Sequence, residues 1–115
     1  MKTLLKLTAL AEAATGLTLL AYPPIVVRVL FTADVTGAGI LVSRIAGIGL
    51  LGLGVACWPS DTPGQPAYGM LTYTIVVTLY LVMVGEGGGA GLLLWPAVLF
   101  HFVLAVLFIR ELRRA

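Results

Sequence analysis

Charge is the scarcest commodity in this sequence. Seven Lys or Arg and five Asp or Glu are spread over 115 residues, 10% of the chain. A soluble domain carries about a quarter, mostly on its surface. Twelve charged side chains cannot coat a chain of 12.1 kDa against water, so a soluble globular domain is excluded. Disorder is excluded as well, because 60% of the residues are hydrophobic and the mean hydropathy is +1.08. Cysteine is nearly absent too. Cys57 alone rules out an intrachain disulfide framework, a Cys-rich metal site and a redox thiol pair within the chain. The single histidine, His101, cannot make a multi-histidine metal site, and no metal is expected. The surplus of two positive charges is too small for a nucleic-acid surface, and most of the basic residues lie at the termini.

What remains is long apolar runs. A helix needs about 20 mostly apolar residues to cross a hydrocarbon core of about 30 Å. Four stretches qualify: Leu4 to Tyr22, Ala38 to Trp58, Ala67 to Val84 and Leu92 to Ile109. Prolines and glycines punctuate them at Pro23-Pro24, Pro59 to Pro66 and Gly85 to Gly91. The expected fold is all-α, a single integral-membrane domain over residues 1–115 built as a four-transmembrane-helix bundle. Residues 24–31, too short to span and carrying Arg28, read as a segment lying in the interface. Lys2, an apolar run and Ala11-Glu12-Ala13 resemble a secretory leader, but Glu12 interrupts the apolar region and a retained helix is expected. Lys2 and Lys6 flank the first span, and Arg110, Arg113 and Arg114 follow the last. Both termini are therefore expected in the cytoplasm, which requires an even number of crossings.

An ionisable group inside a bilayer is expensive and needs a reason. Three lie well within the spans: Glu12, Arg44 and His101. At about 1.5 Å of rise per residue, Glu12 sits about 12 Å from the cytoplasmic start of its span. Arg44 and His101 sit about 9 Å and about 13 Å from the outer starts of theirs. Tyr80 falls near the depth of Arg44. These positions predict one intramembrane polar cluster of Glu12, Arg44, Tyr80 and His101. Small residues beside them mark helix-packing seams: Gly16 by Glu12; Gly39, Ser43 and Gly47 by Arg44; Ala97 and Ala105 by His101. Gly52 and Ala56 extend the second of these surfaces. Met70, Tyr73, Val77, Tyr80 and Val84 form one stripe on the third span.

Each residue admits a structural and a functional role. Glu12 with Arg44 is either an ion pair that sets helix register or a site that handles a proton or substrate. His101 is either a hydrogen-bonded packing residue or a relay or ligand. Tyr73 and Tyr80 fit core aromatics, and Trp58 and Trp95 fit interface anchors. Gly47 to Gly52 spells a dinucleotide fingerprint, but it lies inside an apolar span with no preceding strand, which removes the mechanism.

Ala11-Glu12-Ala13-Ala14-Thr15-Gly16, the run Arg44-Ile45-Ala46-Gly47 through Gly54, and Trp95-Pro96-Ala97 with His101 resemble small, uncharacterised bacterial four-helix inner-membrane proteins of a loosely DoxX-like kind. That resemblance implies a bacterial inner membrane. It carries no secure reaction, and quinone or lipid is the ligand class it would admit. The first functional expectation is an accessory or assembly subunit, packed against other membrane proteins, a second copy of itself and the surrounding lipid, without a cofactor or enzymatic activity. The alternatives are a proton-coupled transporter or channel using Glu12, and a quinone- or lipid-binding redox component.

Overall fold

The computed structural model describes residues 1–61 and 64–114 as five helices. These are α1 (Lys2–Ala21), α2 (Pro23–Leu30), α3 (Ala38–Ala56), α4 (Gly64–Glu86) and α5 (Leu94–Arg114). No strand forms among the described residues; one isolated antiparallel bridge joins Phe31 to Ala90. α1, α3, α4 and α5 are each long and apolar enough to cross a membrane. The chain is an all-α bundle and, by those four helices, a small multi-pass membrane protein.

The breaks follow from backbone chemistry. Pro23 and Pro24 lack N–H groups and occupy the first two positions of α2, where those donors would be unsatisfied anyway. Tyr22 between the two helices leaves the helical region, with its N–H still donating to the Thr18 carbonyl. Gly37 opens α3 at φ +54°, a conformation that favours a residue without Cβ. Two helices outrun their apolar stretches. α4 begins at Gly64 rather than Ala67, because Pro66 falls in the first turn and costs no hydrogen bond there. α5 runs on to Arg114 because Arg, Glu and Leu are good helix formers. Charge ends a membrane span without ending a helix.

Packing divides the helices into two close pairs. α1 lies along α3, α4 lies along α5, and the pairs meet more loosely through α1. The α1–α3 crossing is glycine against glycine. A Cβ on Gly16 would lie 2.6 Å from the Gly47 carbonyl oxygen, and one on Gly47 would lie 2.6 Å from that of Gly16. Lower on α3, Gly54 sits against the Ala9 carbonyl in the same way. Bare backbone contact of this kind gives transmembrane helices their dispersion energy, since lipid is as apolar as the side chains. Two other small residues behave differently from expectation. Gly39 meets Val35 of its own preceding loop, and Gly52 has open space around it, because it lies on the face of α3 turned away from α1. Ser43 is half-buried. The result is a flattened body of 44 × 28 × 16 Å.

The two ends are built differently. Met1 and Glu111 form an ion pair at 3.6 Å, so both termini lie at one end. There Leu5, Met70, Ala67 and Phe108 are fully buried, with Cys57 beside them and Leu4, Leu53 and Leu112 packed around. At the opposite end α2 is tied across to the start of α5. The Gly91 N–H donates to the Leu30 carbonyl at 2.9 Å, and the Leu93 N–H to that of Val29 at 2.6 Å. Gly91 has no room for a side chain under that backbone.

Candidate functional site

Between the two ends lies a cavity of about 520 Å³, bounded by α1, α2, α4 and α5 and touched by Leu50 of α3. Its wall is mostly hydrocarbon: Val26, Val29 and Leu30 of α2, Val77 and Leu81 of α4, and Leu93, Pro96 and Phe100 at the other side. Volumes of this size hold small organic ligands. At its inner end three helices contribute one polar group each.

Glu12 of α1 is the centre of that group, with 3% of its surface exposed. The Tyr73 hydroxyl, from α4, donates to Glu12 Oε2 at 3.0 Å. His101 Nε2, from α5, stands 3.2 Å from Glu12 Oε1. The other ring nitrogen, Nδ1, is 2.8 Å from the Ala97 carbonyl oxygen one turn earlier on α5. A carbonyl only accepts, so Nδ1 must carry a hydrogen and donate. That assignment determines what the other side of the ring can do. Nε2 and Oε1 can form their bond only with one proton between them, either as imidazolium with carboxylate or as imidazole with carboxylic acid. Both arrangements carry no net charge, which is what a low-dielectric site tolerates best. Phe100 and Tyr73 hold the ring in place edge-on, with centroids 5.3 Å and 6.0 Å from that of His101.

The remaining buried hydroxyls are satisfied locally. Thr8 donates to the Leu4 carbonyl and Thr74 to that of Leu71. No buried side-chain polar atom among the described residues lacks a partner. No group of three or more His, Cys, Asp or Glu comes together among the described residues.

Of the expected cluster, the structure brings together Glu12 and His101. Arg44 and Tyr80 lie elsewhere. Arg44 is exposed on α3 and makes no ion pair among the described residues, so the expected Glu12–Arg44 pair does not form. The glycine crossing is the reason. Gly47 lies level with Gly16 to Leu20, and Arg44 is nearly one turn further from the termini. That places it about 13 Å along the axis from Glu12, beyond the reach of its side chain. Tyr80 is 57% exposed. Its place is taken by Tyr73, seven residues earlier on the same stripe. The depth arithmetic contains the signal for that substitution. Glu12 is about 15 Å from the start of α1 and Tyr73 about 13 Å from the start of α4, at the same end. Tyr80 is about 24 Å in and overshoots. Ala97 earns its place through its carbonyl as well as its small side chain, and Ala105 is buried further along α5.

No protein-family model, curated protein or solved structure matches this chain.

Proposed function

We propose that the chain is a proton-coupled carrier of a small molecule, of the DoxX-like kind in a bacterial inner membrane, with both termini in the cytoplasm. Glu12 and His101 form the coupling site. One observation carries this reading: the buried Glu12 carboxyl, within hydrogen-bond distance of His101, stands at the inner end of a cavity large enough for a ligand. A pair whose only task was to set helix register would need no space beside it. Here the space is present, walled by hydrocarbon, and closed towards the termini by the packed end of the bundle. Lys2, Lys6, Arg110, Arg113 and Arg114 all lie near the end the termini share, which supports a cytoplasmic position for that end.

The test is flux into proteoliposomes containing the purified chain, driven by an imposed pH gradient. Gradient-driven accumulation is expected from the wild type, and Glu12→Gln is expected to lower it at least about tenfold, as for loss of a general proton-exchanging group. Equal flux from wild type and Glu12→Gln would remove Glu12 from the mechanism.

A second reading, an accessory subunit packed laterally on another membrane protein or on a second copy, has its own observation. α3 leaves Leu41, Val42, Ile45, Ile48 and Val55 exposed, and Arg44 stands among them with no ion pair to any of the described residues. A charged group facing hydrocarbon calls for a partner or a lipid phosphate. Native mass measurement of the chain extracted at its natural abundance distinguishes the readings: a lone monomer with no partner removes the second.

A further inference from the structure

The hydrogen-bond inventory of the cavity wall selects the chemistry of its occupant. Five polar side chains line the cavity: Glu12, Thr15, Thr18, Tyr73 and His101. The Thr15 hydroxyl donates to the Ala11 carbonyl and the Thr18 hydroxyl to that of Ala14, each at 2.9 Å. Tyr73 donates to Glu12. His101 donates through Nδ1 to Ala97, and the proton between Nε2 and Glu12 is held by both. Every side-chain donor in the wall is therefore already used, whichever of the two groups holds the shared proton. What is left unpaired is lone pairs, on the two threonine oxygens, the Tyr73 phenol oxygen and the Glu12 carboxylate. An anionic or purely accepting head group, such as a carboxylate or a quinone carbonyl, would meet only other acceptors.

We propose that the cavity takes an apolar molecule with a donating, cationic head, a protonated primary or secondary amine, and that its entry expels the proton shared by Glu12 and His101. The proposal rests on the reading of that pair as the coupling site. The charge balance requires the exchange. Before binding, the pair carries one proton and no net charge. Adding an ammonium alone would leave a net positive charge in a site walled mostly by hydrocarbon. When the proton leaves Nε2, Glu12 remains a carboxylate facing the ammonium, and charge neutrality returns. The ammonium N–H groups then donate to Glu12 and to the vacated lone pair on Nε2. No covalent bond is made; one N–H or O–H bond within the pair is broken and its proton goes to solvent. Besides Glu12 and His101 the only titratable side chain in the wall is the Tyr73 phenol, which is neutral when protonated, and Arg28 and Arg44 lie outside it. The counter-charge is thus Glu12 alone.

Calorimetric titration of the chain in lipid nanodiscs tests this, with empty nanodiscs as the control for partitioning. Runs in two buffers of different ionisation enthalpy count the protons released. The probes are octylammonium, octyltrimethylammonium, octanoate and an alkyl benzoquinone. Octylammonium is expected to bind with release of about one proton per ligand. Octyltrimethylammonium has the charge but no N–H, and is expected to bind at least about tenfold more weakly. Val77→Phe adds a ring to the wall at a position that carries no polar group and is expected to block binding. It keeps a readout should Glu12→Gln fail to fold. Tighter binding of octanoate or the quinone than of octylammonium would overturn the donor class while leaving the cavity as the site. Wild-type binding by Val77→Phe, or no binding by any probe, would overturn both.

Discussion

The two ends of this molecule solve the same problem, four helices side by side, with opposite results. At the end the termini share, Leu5, Ala67, Met70 and Phe108 leave no surface exposed. Towards the α2 end, helices of similar apolar content flank an open-sided cavity. The difference lies in what stands between the helix pairs. Near the termini, large side chains from α1, α4 and α5 interdigitate, with Cys57 following α3. Further in, Glu12 demands two hydrogen-bond partners, and α1 meets α4 and α5 through Tyr73 and His101 rather than through packed aliphatics. α2 then spans the opening, held by backbone hydrogen bonds to Gly91 and Leu93. Packing fills space where it can choose rotamers freely. A fixed polar triad holds the helices at its own spacing and leaves volume behind.

Substitutions at matched positions sharpen that contrast. Phe108→Ala empties the closed end, and the cavity it leaves is expected to cost about 3 kcal/mol in unfolding of the detergent-solubilised protein. If the stability is unchanged, that end is not close-packed. Ala67→Leu overfills the same region and is expected to cost about 1–3 kcal/mol. The identical change at Ala11, on the cavity wall, is expected to stay within about 0.5 kcal/mol, because the added methyls enter free space. Equal costs at Ala67 and Ala11 would mean that the cavity collapses in the folded protein. The smallest expected effect concerns Cys57, just past the end of α3. Burial pushes its thiol above the ordinary range, so little thiolate is present at neutral pH. Maleimide labelling of the intact protein should be slow and should become fast on unfolding; rapid labelling of the folded protein would show that the terminal end opens.

Residue by residue, the reading from sequence reached the helices more surely than their contacts. The prolines at 23 and 24 and the glycine at 37 act on the backbone of their own segment, so their effect is legible locally. The ends of α4 and α5 were less so. Pro66 and Arg110 mark changes in composition, whereas a helix stops only where its hydrogen bonds do. For the polar group, helical rise gave the depth of Glu12 and His101 well enough to set them together. Choosing Arg44 and Tyr80 as their companions required the axial offset between α1 and α3, and that offset is set by where Gly16 and Gly47 touch.

The scarcity of charge, a property of composition, by itself made this a membrane protein, since hydrocarbon accepts about 20 apolar residues in a row and rejects most others. It also singled out the few ionisable groups that needed an explanation inside the spans. Only the tertiary structure decided which of them answer one another. Glu12 found Tyr73 and His101 because backbone contact between two glycines held Arg44 out of reach, and helix register over long separations depends on such contacts rather than on any local preference of the chain.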